Sequence, residues 1–275
     1  MKARTGRAGL RPGQERTEGV RELKTVKEKI RDREPVFGTM ISEMACPNLA
    51  RIFKAAGFAY MIVDCEHGYF DYSQLAAMVS VANGAGIGAV VRIPTIDRGV
   101  ITKVLDMGAD GLLVPMVNTA DEARQIVSYA KYPPLGHRGA STQRAHTNYD
   151  PPKLEEYFEI ANARTIILAQ IETRQALDHV GEIAAVEGID AVVIGPNDLS
   201  IDLGVPGDLG APAMKEAQRI VAEAAARAGK ASGMITSRTD VIRECRDRGM
   251  TVLSCDSEVG MLLKMARKVM GELQA

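Results

Sequence analysis

Short runs of aliphatic and β-branched residues recur along the chain, and most are followed by a longer stretch in which apolar residues return every third or fourth position. Runs of about five such residues predict buried strands, and the wider spacing predicts amphipathic helices packed over them. Strands are predicted at 36–41, 60–64, 89–93, 111–115, 165–171, 191–195, 231–235 and 251–254. Helices are predicted at 48–56, 72–82, 99–107, 120–129, 174–182, 213–228, 239–248 and 258–270. Gly57, Gly108, Gly229 and Gly249 stand at the ends of four of these helices, where a left-handed residue stops the helix before the next strand. Eight strand–helix units in one unbroken rhythm predict an α/β fold, a (β/α)8 TIM barrel. A doubly wound parallel sheet is the alternative, and it would show a break where the winding reverses.

Composition agrees with a chain able to bury a large core: 46% of the 275 residues are hydrophobic and 25% charged. No apolar run approaches the roughly 18 residues of a membrane span, and no apolar segment follows the basic N-terminus as in a signal peptide. A soluble, cytoplasmic protein is expected, with no membrane partner. Cys46, Cys65, Cys245 and Cys255 form no C-x-x-C pair, which predicts reduced core thiols rather than a disulfide framework or zinc knuckle.

The net charge of −1 conceals an asymmetry: residues 1–33 hold eleven Lys or Arg against five Asp or Glu. This arm lacks aromatics, so a disordered extension is expected rather than a nucleic-acid partner, with a short amphipathic helix at 23–33. Residues 34–275 are then one catalytic barrel domain. Segment 131–162 is too long for a simple connection and is expected to curl over the barrel mouth or against a neighbouring subunit.

In a barrel, polar residues just past the strand C-termini converge on one mouth. Strand two ends in Asp64-Cys65-Glu66-His67-Gly68, strand three in Arg92, strand five in Gln170-Ile171-Glu172, and strand six in Gly195-Pro196-Asn197-Asp198. Glu172 and Asp198, on adjacent strands, suit a hard divalent cation, which takes one or two carboxylates and leaves its other positions to water and substrate. Singly, Asp198 reads equally as a helix cap and Glu172 as half of a salt bridge. His67 follows two carboxylates, and an acceptor for one ring nitrogen would leave the other free as a base. Arg92, charged on an apolar strand, needs a carboxylate or a developing oxyanion beside it, and Glu66 would serve as a purely structural partner. Gly84-Ala85-Gly86-Ile87-Gly88 follows a helix and precedes a strand, the reverse of a dinucleotide loop, and reads as a turn. No Walker A sequence occurs, and no Lys lies inside a predicted strand, which disfavours Schiff-base chemistry.

Taken in order, Asp64-x-Glu-His67, Val-Arg92, Leu113-Val114-Pro115-Met116-Val117, Tyr132-Pro133-Pro134-x-Gly136-x-Arg138-Gly139, Gln170-Ile171-Glu172-Thr173 and Gly195-Pro196-x-Asp198-Leu199-Ser200 resemble the HpcH/HpaI-type metal-dependent class II pyruvate aldolases, which include the dihydroxyheptenedioate aldolases. The resemblance runs from about Phe37 to Met270. It implies that Glu172 and Asp198 bind a divalent cation (Mg2+, Mn2+ or Co2+), that Arg92 contacts the keto oxygen, and that His67 is a base paired with Asp64. It further implies that Gln170 is a pocket amide, that Ile235 lies near the aldehyde, and that the protein is a homo-oligomer, a hexamer whose barrels exchange their last helix. The first strand lacks the family's Trp, and residues 141–146 differ from its loop, so the aldehyde is left open.

The implied reaction is cleavage of a 4-hydroxy-2-oxo acid to pyruvate and an aldehyde, and its reverse, with the acid's carboxylate received at the helix start around Asn197 and Asp198. Rival expectations are an acyl-CoA lyase or oxaloacetate decarboxylase working through a similar enolate, or a barrel kept only for binding.

Overall fold

The computed structural model describes residues 24–275. The predicted strands form as β1 (Val36–Ile41), β2 (Tyr60–Asp64), β3 (Gly88–Arg92), β4 (Gly111–Val114), β5 (Ile166–Ile171), β6 (Ala191–Ile194), β7 (Ala231–Thr236) and β8 (Val252–Ser257). Each pairs in parallel with the next, and β8 returns to β1, closing the (β/α)8 barrel. The connecting helices are α1 (Val26–Arg31), α2 (Leu49–Ala55), α3 (Tyr72–Ala85), α4 (Arg98–Asp106), α5 (Ala120–Ala130), α6 (Leu154–Arg164), α7 (Arg174–Asp178), α8 (Val180–Ala185), α9 (Pro196–Asp202), α10 (Pro212–Arg227), α11 (Thr239–Asp247) and α12 (Glu258–Gln274).

Local chemistry sets several boundaries. Asp71 with Gln74 and Thr119 with Glu122 form reciprocal capping boxes that start α3 and α5. Gly86 ends α3 in the left-handed conformation, so the Gly84–Gly88 stretch is a helix stop and strand entry. Outward-facing strand residues such as Val63, Val91 and Ile194 join the helices in the larger apolar core, while Ile62, Val90, Leu113 and Val193 fill the barrel interior.

At the end opposite the mouth, α1 closes the barrel. Ile30 is buried against the interior cluster, and Lys27 Nζ donates to the Thr165 carbonyl and to Asp190 Oδ1. Beside it the buried Lys131 amine donates to the Asn162 and Thr165 carbonyls at 2.6 and 2.7 Å. Burial, reinforced by the charge of Lys27, pulls its pKa down to about 7.

Three expectations change. Segment 131–162 is not a loop over the mouth: α6 occupies its end, and Arg138 and His146 bond the side chain and carbonyl of Asp106, the last residue of α4, at the far end of that helix. The reason is polarity of the chain, since α5 runs away from the mouth before this segment begins. The helix predicted at 174–182 is two, α7 and α8, parted at His179. The helix start expected around Asn197 and Asp198 proves to open a separate seven-residue helix, α9, that the predicted set lacked. The expected extension over residues 1–23 lies outside the described residues, and the helix expected at 23–33 is α1. Among the described residues no helix is long and apolar enough to cross a membrane.

Candidate active site

Asp64 ends β2 and Arg92 ends β3, and strand register makes them direct partners. The buried guanidinium donates from Nε to Asp64 Oδ1 at 2.8 Å and from Nη2 to Asp64 Oδ2 at 2.6 Å, a two-point fork. Its Nη1 lies 3.0 Å from Glu66 Oε2. Burial opposes the positive charge, but Asp64 and Glu66 more than offset it and hold the Arg92 pKa above its ordinary value. Arg92 therefore has the carboxylate partners that its position demanded.

The expected pairing of Asp64 with the His67 ring does not form. Both Asp64 oxygens are committed to Arg92, and Oδ1 additionally accepts the backbone N–H of Glu66 at 3.0 Å and, at 3.4 Å, that of His67. This tight turn leaves the His67 side chain exposed at the mouth. Asp64 thus orients the residue through its backbone, while the strand pairing delivers its carboxylate to Arg92.

Glu172 follows β5 directly and is 2% exposed. Gln170 Nε2 donates to its Oε1 at 2.6 Å, and the Met116 N–H donates to its Oε2 at 2.9 Å. A Cβ at Gly195 would collide with Glu172 Oε1 and Gln170 Nε2, so the bare glycine at the end of β6 makes room for this carboxylate. Burial first, then the negative charges of Glu66 and Asp198, push the Glu172 pKa up to about 7 against the Met116 N–H and Arg92. Glu66 is raised by burial and by Asp64 and Asp198, against Arg92 and His67.

Asp198 is the third residue of α9, with Gly195 at the N-cap position, so it is not the helix cap. It and Asn197 are exposed in the first turn, where the first intrahelical bond is Leu199 N–H to the Gly195 carbonyl. Ile235 is half-buried on β7 against the interior apolar cluster.

Asp64 and Glu66 thus pair with the one guanidinium, and the charges of Asp198 and Arg92 also act on Glu172. Among the described residues no three His, Cys, Asp or Glu side chains cluster as a complete metal cage. Two carboxylates with oxygen donors alone fit a hard cation that keeps positions for water and ligand, and such a charge would relieve the mutual repulsion of Glu172, Glu66 and Asp198. The buried Gln170 Oε1 also lacks a partner beside Glu172.

Four contributors escaped the sequence reading. Met116 acts through its N–H and Gly195 through its missing side chain, and neither leaves a residue-type signature. Glu66 was visible only as a structural alternative. Glu258, buried at the start of α12, accepts the N–H groups of Ser42, Glu43 and Met44 at 2.7–3.0 Å and so fixes the loop after β1 at the mouth.

Residues 39–264 match the family model described as HpcH/HpaI aldolase/citrate lyase. The chain is 36% identical over 231 residues to a hydroxypyruvate/pyruvate aldolase of Roseovarius nubinhibens, covering 83% of this chain and 88% of that one. It is 39% identical over 228 residues to a 2-keto-3-deoxy-L-rhamnonate aldolase of Escherichia coli, covering 80% and 81%. Among solved structures, that of an HpcH/HpaI aldolase from Desulfitobacterium hafniense superposes with a TM-score of 0.87 at 35% identity, covering 91% of this chain and 96% of that one.

Proposed function

The chain belongs to the HpcH/HpaI aldolase/citrate lyase family, and from that premise we propose the roles of its mouth residues in the cleavage of a 4-hydroxy-2-oxo acid. The enzyme is an aldolase, a carbon–carbon lyase that releases pyruvate and an aldehyde and joins them in reverse. The observation that carries the site assignment is the buried Glu172 carboxylate at the end of β5, held at one oxygen by Gln170 Nε2 and at the other by the Met116 N–H.

Glu172 and Asp198 would hold the divalent cation, Mg2+, Mn2+ or Co2+, with Gln170 bracing Glu172. Bound there, the cation would supply Lewis acidity to the carboxylate and keto oxygens of the 2-oxo acid. The N–H groups of Asn197 and Asp198 receive the acid's carboxylate. Asp64 and Glu66 fix the plane of Arg92, and its remaining N–H groups meet the keto oxygen as negative charge develops on it. His67, through a water, removes the proton from the C4 hydroxyl. The C3–C4 electron pair moves into the enolate of pyruvate, C4 leaves as the aldehyde carbonyl, and C3 then takes up a proton. Ile235 borders the aldehyde.

The enzyme is proposed to work as a homohexamer in which neighbouring barrels exchange α12. That helix buries only Glu258 and leaves Leu262, Leu263, Met265, Met270 and Leu273 exposed, an apolar surface suited to a second copy. Free cysteines at all four positions suit a reducing compartment, and the cytoplasm is proposed. Metal-stripped enzyme assayed for pyruvate release over a panel of 4-hydroxy-2-oxo acids, with each cation restored in turn, tests the central assignment. Cleavage by the stripped protein at the restored rate refutes it.

A further inference from the structure

Met116 has a positive φ of 53° although it carries a side chain, and such left-handed geometry costs a non-glycine residue about 1 kcal/mol. Its side chain does not explain the conformation, because it is 45% exposed. Its backbone does: the N–H is the donor to Glu172 Oε2, and the carbonyl accepts Asn118 Nδ2 at 2.9 Å. The same Asn118 side chain accepts the hydroxyl of Thr173, the residue that follows Glu172. A closed ring results, running from Met116 N–H to Glu172, along the chain to Thr173, across to Asn118, and back to the Met116 carbonyl. Asn118 is itself pinned, since its N–H donates to Glu122 Oε2 at 2.7 Å in the capping box of α5.

We propose that Asn118 is a positioning residue for the cation site: by clamping Met116 in the left-handed conformation it aims the Met116 N–H at one Glu172 oxygen and leaves the carboxylate in a single orientation. The inference rests on the reading of Glu172 as a metal ligand. A carboxylate held at both oxygens is pre-organised to bind, whereas one free to rotate loses that advantage on binding. Asn118 touches neither the cation nor the substrate in this scheme, so its loss acts through its two partners, the Met116 carbonyl and the Thr173 hydroxyl.

The test is calorimetric titration of the full chain with Mn2+ alone, no 2-oxo acid present. Asn118→Ala is expected to weaken Mn2+ binding about tenfold. Glycine adopts the left-handed conformation without a Cβ penalty, so adding Met116→Gly to that variant is expected to recover most of the loss. Wild-type affinity in Asn118→Ala, or an equal loss in the single and double variants, overturns the clamp. Asn118→Ser, which keeps a small polar group but falls short of the Met116 carbonyl, repeats the test if the alanine variant does not fold. Glu172→Ala separates the two layers of the argument. If it binds Mn2+ as well as wild type, the ligand assignment fails; if it loses binding while Asn118→Ala does not, only the clamp fails.

Discussion

The guanidinium of Arg92 rests on the carboxylate of Asp64 through two hydrogen bonds of 2.8 and 2.6 Å, and the two residues are register partners on β2 and β3. The fork is therefore set by strand pairing and not by a loop. Asp64→Asn keeps the volume but turns one acceptor into a donor, so Arg92 loses its fixed plane. A fall in kcat of at least about tenfold is expected, roughly 1.4 kcal/mol of transition-state stabilisation, with Mn2+ affinity within about twofold of wild type. Arg92→Lys is expected to reach a similar loss, because an ammonium cannot reproduce the fork. Unchanged kcat in both variants would make the pair purely structural.

The His67 ring stands apart from that fork, exposed and unpaired with the Asp64 carboxylate, which meets only its backbone N–H. Oxaloacetate decarboxylation also generates the pyruvate enolate but has no hydroxyl proton to remove. His67→Ala is expected to depress aldol cleavage by a hundredfold or more, within the usual range for losing a general base, and to depress decarboxylation far less, provided the wild type catalyses both. Equal losses in the two assays, run on one preparation, would assign His67 to the shared enolate step instead.

Removal of the divalent cation is expected to abolish aldol cleavage and to lower thermal stability together. At a free Mn2+ concentration one hundred times its Kd, linkage stabilises the native state by about 2.7 kcal/mol. Scanning calorimetry with and without Mn2+ measures this, and the increment should vanish in Asp198→Ala. A full increment in that variant would move the site away from Asp198.

Lys131 supplies a pH dependence unrelated to the chemistry at the mouth. Its pKa is about 7 in the folded protein against an ordinary 10.5. Between these values the unfolded chain holds a proton that the native state has released, so stability rises with pH across the interval; below about pH 7 both states are charged and the burial penalty is fully present. Lys131→Met removes this contribution. The wild-type-minus-variant difference in urea unfolding free energy is expected to rise by about 1 to 3 kcal/mol from pH 7 to 9.5. A difference independent of pH would mean that the amine keeps its proton at both ends of the range.

Strand and helix order was legible because buried parallel strands are written as uninterrupted Val-, Ile- and Leu-rich runs, and β1 and β2 match their predicted limits at both ends. Two helices were not. Only a helix start around Asn197 and Asp198 was expected, and the helix itself was absent from the predicted set; Pro at the first helical position opens α9. The Glu-rich, proline-preceded stretch of α6 hid inside what read as a long connection. Ionisable side chains at the site were visible as residue types at strand ends. Their pairing was not: Asp64 stands three residues from His67 but opposite Arg92, and only the register of β2 on β3 decides between them. The Met116 N–H, a backbone contribution, carried no sequence signal.

The cradle at Gly195 divides the mouth into a part that can drift in evolution and a part that cannot. Any codon change there that adds a side chain drives a carbon into the Glu172 carboxylate and the Gln170 amide, so the half of the mouth proposed to handle pyruvate is guarded by an atom that is not there. Ile235, proposed to border the aldehyde, is half-buried and is not walled in so tightly. Selection for a new aldehyde, natural or in the laboratory, should therefore collect its substitutions around that residue and leave position 195 untouched.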